Sequence, residues 1–147
     1  MSLALAQAEI ARAHNDVPVG CVIVREGEVV AVGRNRREEI SDATAHAEIE
    51  AIRAASQALG RWRLSDCALY VTLEPCAMCA GAILNARVGT LVYGARDAVS
   101  GACGSVVDLF AEPLGGPPTA KSRPRVYAGV LERECAGILR EFFVQLR

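Results

Sequence analysis

The stretch Thr44-Ala45-His46-Ala47-Glu48-Ile49 places two reactive side chains at the start of a helical pattern. It offers an imidazole and, two positions later, a carboxylate. A second stretch further along the chain, Leu73-Glu74-Pro75-Cys76-Ala77-Met78-Cys79, offers two sulfurs spaced i, i+3. We interpret the rest of the chain as the scaffold that brings these two stretches together.

Three of these side chains form a candidate metal-ligand set: His46, Cys76 and Cys79. The two cysteines would share one face of a helix's first turns, and His46 opens another helix, so two helix starts can converge on one ion. Mixed sulfur and nitrogen ligands favour zinc, and three protein ligands leave the fourth position to water, as in catalytic sites. Zinc lowers the pKa of such a water towards about 7. Glu48 is then predicted to act as general acid and base.

Two interpretations without catalysis also fit the spacing. A structural zinc site would take its fourth ligand from Cys67 or Cys103, with Glu48 merely solvated. Alternatively, the cysteines are ordinary core thiols and bind no metal. The structural zinc site leaves Glu48 unexplained, so the catalytic site is the favoured interpretation.

Composition and charge favour an ordinary globular protein. The 147 residues, 52% hydrophobic and 22% charged, suit a single domain over 1–147 with a full hydrophobic core. The formal net charge of −1 provides no global field for nucleic acid, so a polyanion would be held by a local patch. We find neither a signal-peptide pattern nor an apolar run of the ~18 to 20 residues that span a membrane, and we expect a cytoplasmic location. The remaining cysteines are expected to be buried thiols: Cys21, Cys67, Cys103 and Cys135.

Hydrophobic periodicity predicts alternating helices and strands. A first helix ends near His14, and a β-hairpin comprises Val19 to Val24 and Val29 to Val32. A polar loop over 35–45, well placed to touch a ligand, precedes a helix over 45–59. The other predicted elements are a strand at 67–73, a helix at 76–86, a strand at 90–93, a Gly/Ala-rich loop at 94–104, a helical turn at 106–110, an irregular excursion at 112–125, a strand at 126–130 and a helix at 132–146.

This order of elements predicts an α/β fold. Strands alternating with helices after the hairpin indicate a mixed, mostly parallel five-stranded sheet that is covered by helices on both faces. The strand at 67–73 has little polarity, so we expect it at the centre of the sheet.

The two stretches also match the known signature of zinc-dependent base deaminases, H-x-E…P-C-x-x-C. It is present as His46-Ala47-Glu48 and Pro75-Cys76-Ala77-Met78-Cys79. Beyond this signature, nearly the whole chain resembles bacterial tRNA-specific adenosine deaminases of the cytidine/deoxycytidylate deaminase superfamily. The blocks that carry the resemblance are 16–20, 44–49, 70–81, 94–97 through 101–102, Glu134-Cys135 and Phe142-Phe143.

The resemblance implies a three-layer α/β/α cytidine-deaminase-like fold and hydrolytic deamination of the wobble adenosine of a tRNA anticodon to inosine. It implies one zinc ion per subunit, bound by His46, Cys76 and Cys79, with Glu48 shuttling protons. It further implies a homodimer that binds the tRNA anticodon stem-loop across the subunit boundary.

Four substrate contacts are also implied by the resemblance. Asn35 would hydrogen-bond the base, Val19 and Leu73 would line the base pocket, and Asp97 would contact the ribose or backbone of the flipped nucleotide. Each residue has a structural interpretation as well: core packing for Val19 and Leu73, a turn residue for Asn35, and a loop cap for Asp97.

The chain departs from the family before its last strand. Family members usually have Asn-His-Arg there, whereas this chain has Lys121-Ser122-Arg123-Pro124-Arg125, preceded by Gly115-Gly116-Pro117-Pro118. The added positive charge could replace lost polar contacts by phosphate contacts, or the segment could be a solvated loop.

Two other functions are compatible with the motifs. A deaminase of a free base or nucleoside, such as cytosine, cytidine or guanine, would use the same zinc and Glu48 chemistry. An inactive RNA-binding protein could keep zinc for stability alone. The block at 94–104 favours the tRNA enzyme over the first of these.

Overall fold

The computed structural model of the protein describes residues 1–111 and 123–145. Helices and strands follow one another in the predicted order, although most of the predicted excursion at 112–125, including Gly115 to Ser122, lies outside the described residues. The elements are α1 Ser2–Ala13, β1 Gly20–Arg25, β2 Glu28–Arg34, α2 Ala47–Leu59, β3 Cys67–Leu73, α3 Ala77–Asn85, β4 Thr90–Ala95, β5 Arg125–Tyr127 and α4 Glu132–Gln145. Within the two described ranges, no helix is long and apolar enough to cross a membrane.

The five strands form one mixed sheet in the order β2-β1-β3-β4-β5. β1 pairs antiparallel with both β2 and β3, whereas the β3–β4 and β4–β5 pairs are parallel. Four of the five strands therefore point in the same direction and only β1 opposes them. The predicted mixed, mostly parallel five-stranded sheet is confirmed, and β3 occupies its centre as predicted.

Helices cover both faces of this sheet. α1 and α4 contact each other and share one face, and α2 and α3 contact each other on the opposite face. The pleat explains this division, since successive residues of a strand point to opposite faces. Gly20 of β1 faces α1, and the next residue, Cys21, pairs with Gly33, which faces α2. The result is the three-layer α/β/α arrangement.

Helix α2 approaches the sheet closely at Gly33 in β2. A Cβ atom at Gly33 would lie 2.3 Å from the carbonyl oxygen of Ala47 and 2.6 Å from the amide nitrogen of Ala51. Both alanines are buried, and their small side chains let the helix backbone come close to the strand. The absence of a side chain at Gly33 therefore sets the depth of the first turn of α2, where His46 and Glu48 lie.

The helical turn predicted at 106–110 is wrong. The structure has a non-helical turn there, in which Oδ1 of Asp108 accepts hydrogen bonds from the N–H groups of Phe110 and Ala111, both at 3.0 Å. The N–H of Gly104 also donates to the carbonyl of Val107. A short acidic side chain that binds nearby N–H groups competes with the helical bonding pattern, which explains the difference.

The cysteines are free thiols. Cys21, Cys67 and Cys135 are buried as predicted, whereas Cys103 is only half-buried. Burial raises the pKa of the Cys21 thiol well above its usual value, so this side chain behaves as a small core residue.

Replacing Gly33 with alanine should destabilise the fold, because the new methyl group must displace the first turn of α2. We expect the free energy of unfolding to fall by about 1–3 kcal/mol, as for overpacked cores, measured by urea denaturation. Gly137→Ala is the matched control, since nothing lies within 4 Å of a Cβ at Gly137 in α4. That control should be stabilised by about 0.5–1 kcal/mol. Equal stability of the two variants would contradict the close approach.

Candidate active site

Two helix starts converge at the candidate site. His46 is the N-cap residue of α2, and Cys76 is the N-cap residue of α3. Neither side chain makes a capping hydrogen bond, so both are free to point elsewhere. Cys79 follows on the first turn of α3 and is fully buried. The i, i+3 spacing of the cysteines thus places both sulfurs at the same end of the helix as predicted.

The three predicted ligands lie close together. Sγ of Cys76 is 3.7 Å from Nδ1 of His46, and Sγ of Cys79 is 3.5 Å from the same nitrogen. Tetrahedral zinc with bonds of about 2.3 Å to sulfur and about 2.0 Å to nitrogen separates sulfur from nitrogen by roughly 3.5 Å. The donor set therefore fits zinc in both ligand type and spacing. Among the described residues, neither Cys67 nor Cys103 joins this cluster as a fourth member.

The two thiols influence each other's protonation. Hydrogen bonds with Cys79 and His46 lower the pKa of Cys76 to about 4, whereas the hydrogen bond to Cys76 and burial raise the pKa of Cys79. These opposite directions favour the thiolate at Cys76, which is the more exposed of the two sulfurs. A divalent cation would favour thiolate at both sulfurs.

Glu48 lies beside the donor cluster without belonging to it. Its side chain is on the first turn of α2 and only 4% exposed. Burial raises the pKa of the Glu48 carboxyl to about 7. The structure thus places the buried Glu48 carboxyl beside the donor cluster and not in it, and its role in proton transfer stays a prediction.

A cavity of about 130 Å³ opens in front of these groups. The four residues predicted to contact the substrate all line it, although they come from different parts of the chain. Cys79 is the one predicted site residue behind the cavity surface. The predicted residues on the wall are Val19, Asn35, His46, Glu48, Leu73, Cys76 and Asp97.

Asn35 and Asp97 also stabilise their own loops. Nδ2 of Asn35 donates to the carbonyl of Val17 at 3.2 Å, and Oδ1 of Asn35 accepts from the N–H of Arg37 at 3.3 Å. Oδ1 of Asp97 accepts from the N–H groups of Val99 and Ser100 at 2.9 and 3.1 Å. Asn35 is therefore a turn residue and Asp97 a loop cap, as their structural interpretations state. Both residues also line the cavity.

Sequence reasoning missed several lining residues. Arg37 could have been found from the sequence, because the loop at 35–45 is predicted to touch a ligand. Three arginines also lie within the four positions 34–37, where this loop starts. Glu74 had a weaker signal, a single acid between an apolar strand and a proline. The lining residues without a prediction are Val17, Arg37, Ala47, Glu74 and Ser100.

Two acids fix the loop at 35–45. Asp16 is fully buried, and its two oxygens accept hydrogen bonds from the N–H groups of Glu38 and Glu39 at 2.8 and 3.1 Å. Glu39 in turn lies 2.6 Å from Nη1 of Arg34, an ion pair that is close but not aligned as a hydrogen bond, and 3.1 Å from Arg36. Arg34 is the main cause that lowers the pKa of Glu39 to about 2.

Comparison with known proteins places the chain in a family. The model of the MafB19-like deaminase family matches residues 1–147. The chain is also 49% identical to the tRNA-specific adenosine deaminase of Agrobacterium fabrum, over 100% of this chain and 93% of that protein. The chain belongs to the bacterial tRNA-specific adenosine deaminases.

Solved structures agree with this family. A structure of a tRNA:A34 deaminase, from work on A-to-I editing at the wobble position of transfer RNA, has a TM-score of 0.87 and 48% identity, covering 95% of this chain and 97% of that one. A guanine deaminase from Bacillus subtilis has a TM-score of 0.64 and 33% identity, covering 99% and 90%. The predicted cytidine-deaminase-like fold of this adenosine deaminase family is confirmed by the first match.

Replacing Glu39 with glutamine should remove an acid-sensitive part of the stability. The pKa of Glu39 is about 2 in the folded protein and near its usual 4.5 in the unfolded chain. The carboxylate therefore stabilises the fold above about pH 4.5, and this contribution is lost as the pH falls towards 2. The free energy of unfolding of Glu39→Gln, measured in urea from pH 5 to pH 2.5, should decrease less steeply than that of the wild type.

Glu26→Gln is the control for this titration, because the Glu26 side chain is 79% exposed and 3.9 Å from Arg25. This control should follow the wild-type pH dependence. Superimposable curves for Glu39→Gln and the wild type would show that the ion pair contributes nothing.

Proposed function

We propose that the protein hydrolytically deaminates adenosine to inosine at the wobble position of a tRNA anticodon. The observation that carries this proposal is the cavity where His46, Cys76 and Cys79 converge beside the buried carboxyl of Glu48. Relatives named for adenosine deamination in tRNA match this chain along its whole length at up to 49% identity, which favours that substrate.

Zinc is the metal that this proposal assigns to the three ligands, one ion per subunit. Two thiolates and one imidazole are the mixed soft donors that zinc accepts, and three protein ligands leave a position open. Bound there, zinc would supply a water molecule that loses its proton near neutral pH.

Glu48 is proposed to move the protons of the reaction. Its carboxylate takes a proton from the attacking water and passes it to the base, while the water oxygen forms a bond to C6. The bond between C6 and the exocyclic nitrogen then breaks, and this nitrogen leaves with a further proton as ammonia. Adenosine and one water molecule thus become inosine and ammonia, with no other reactant.

Four cavity residues are proposed to hold the nucleotide. Val19 and Leu73 provide apolar walls for the base, and Asn35 provides an amide for hydrogen bonding at its edge. Asp97, on the opposite loop, is placed to contact the ribose or backbone of the flipped nucleotide. The wobble base lies in a single-stranded loop, where turning a base out of its stack into the cavity costs least.

The proposal includes an RNA partner, a homodimer and a cytoplasmic location for this single-domain chain. The net charge of −1 offers no general attraction for RNA, and Arg37 at the cavity supports a local contact instead. Exposed apolar side chains such as Met78 and Val106 are available to a second subunit.

A free purine base is the second candidate substrate. The observation that favours it is the similarity to the guanine deaminase from Bacillus subtilis, which extends over 99% of this chain. Both candidate reactions would use the same three ligands and Glu48. Only an activity test with each substrate can therefore distinguish them.

Purified protein should convert adenosine to inosine in an anticodon stem-loop with adenosine at the wobble position. Digestion to nucleosides followed by mass spectrometry measures the product. A stem-loop with the same sequence and guanosine at that position is the control, together with free guanine and cytosine. Turnover of a free base without turnover of the stem-loop would overturn the proposed substrate.

Glu48→Ala should strongly reduce turnover while leaving zinc and fold in place. General acid–base catalysis contributes about 10²- to 10⁴-fold, so we expect a decrease of that size. Zinc content is measured by plasma mass spectrometry and the fold by circular dichroism. Glu50→Ala is the matched control, because Glu50 lies on the same helix turn but outside the cavity lining, where it pairs with Arg53 at 2.9 Å and with Arg36 at 3.6 Å; it should retain wild-type turnover. An inactive wild type that retains zinc would favour the RNA-binding alternative.

A further inference from the structure

We infer that Glu74 is a positioning residue for the substrate: its buried carboxylate holds the loop at 97–105 in place as one wall of the cavity. This loop carries Asp97 and Ser100, which line the cavity. The kinetic test of this inference rests on the proposed function, whereas its structural test does not. Glu74 is only 2% exposed.

Both oxygens of Glu74 bind the loop. Oε1 accepts hydrogen bonds from the N–H groups of Cys103 and Ser105 at 3.0 and 3.1 Å. Oε2 accepts from the N–H of Asp97 at 3.1 Å and from the hydroxyl of Ser105. One carboxylate thus joins the beginning of the loop to its end.

Hydrogen-bond donors of the loop occupy all the acceptor positions of the Glu74 carboxylate. An ionised carboxylate has about four lone-pair sites, and the loop provides four donors to Glu74. Although Glu74 contributes to the cavity wall, its oxygens are therefore committed to the loop. Glu74 acts on the substrate through the loop and not by contact.

The backbone shows how closely the loop packs on this acid. A Cβ atom at Gly101 would lie 2.6 Å from the carboxyl carbon of Glu74 and 2.5 Å from the carbonyl oxygen of Asp97. The N–H of Ala102 donates to the carbonyl of Pro75 at 2.8 Å, directly beside the donor residue Cys76. The segment that carries the sulfur ligands and the loop that forms the wall are therefore held together as one unit.

Glu74→Gln tests the inference because glutamine has a single acceptor oxygen. Oriented to keep the N–H groups of Cys103 and Ser105, the amide places its own NH₂ group against the N–H of Asp97. The beginning of the loop should then detach. We expect KM for the anticodon stem-loop to rise about tenfold with kcat changed less than about threefold, because Glu48 and the donor cluster are untouched.

Asp108→Asn is the matched control. It removes a carboxylate that also binds two backbone N–H groups, those of Phe110 and Ala111, but through Oδ1 alone. Asparagine keeps this oxygen, and Asp108 lies outside the cavity lining, so KM should not change. Gly101→Ala is the second test variant, since its methyl group pushes the loop from the intact carboxylate and should raise KM in the same way. Gly101→Ala also tests the inference if Glu74→Gln fails to fold.

Amide hydrogen exchange tests the inference without RNA. In Glu74→Gln the amide of Asp97 should exchange at least tenfold faster than in the wild type, whereas the amide of Leu69 in β3 should not change. Unchanged Asp97 exchange overturns the inference, as does a variant with a lower unfolding temperature but wild-type KM and kcat. If the wild type forms no inosine, the proposed function fails, and the exchange rate of Asp97 still decides whether Glu74 holds the loop.

Discussion

The convergence of two helix N-termini on one point is the constraint on which the rest of the structure depends. His46 caps α2 and Cys76 caps α3, and their donor atoms, with that of Cys79, lie within 4.8 Å of one another. This requires α2 to lie deep against β2, which Gly33 permits. It also requires α3 to begin directly after the central strand, which places the sulfurs at the end of β3. The cavity forms where these two requirements meet.

The donor set and the sheet could be predicted from the sequence because their signals are local. Spacing along a helix brings Cys76 and Cys79 to one face whatever surrounds them, and hydrophobic runs mark β1 to β4. The turn at 106–110 shows the limit of such signals. The decisive interaction there is that of the Asp108 side chain with two N–H groups of the following residues, which the short apolar run does not reveal.

The anchoring of the cavity loops could not be predicted from the sequence. Asp16 binds the N–H groups of residues more than twenty positions away, and Glu74 does the same for the loop at 97–105. Backbone N–H groups are present at nearly every residue, so no particular residue type marks the partner of a buried acid. The four residues whose substrate contacts the family resemblance implies all line the cavity, and the loop hydrogen bonds of two of them, Asn35 and Asp97, became visible only in three dimensions.

Anchoring through backbone atoms has a consequence for how such a protein can change over time. Asp16 and Glu74 hold the two loops through backbone N–H groups and one serine hydroxyl, and these N–H groups do not depend on which side chains the loops carry. Loop side chains that make no stabilising contact of their own, unlike Glu39 and Asp97, can therefore be exchanged while the backbone keeps its path. Substitutions in the loops can therefore change which substrate is selected, while the metal ligands and Glu48, which carry the mechanism, stay the same. The shared fold of a guanine deaminase at 33% identity is what this separation would produce.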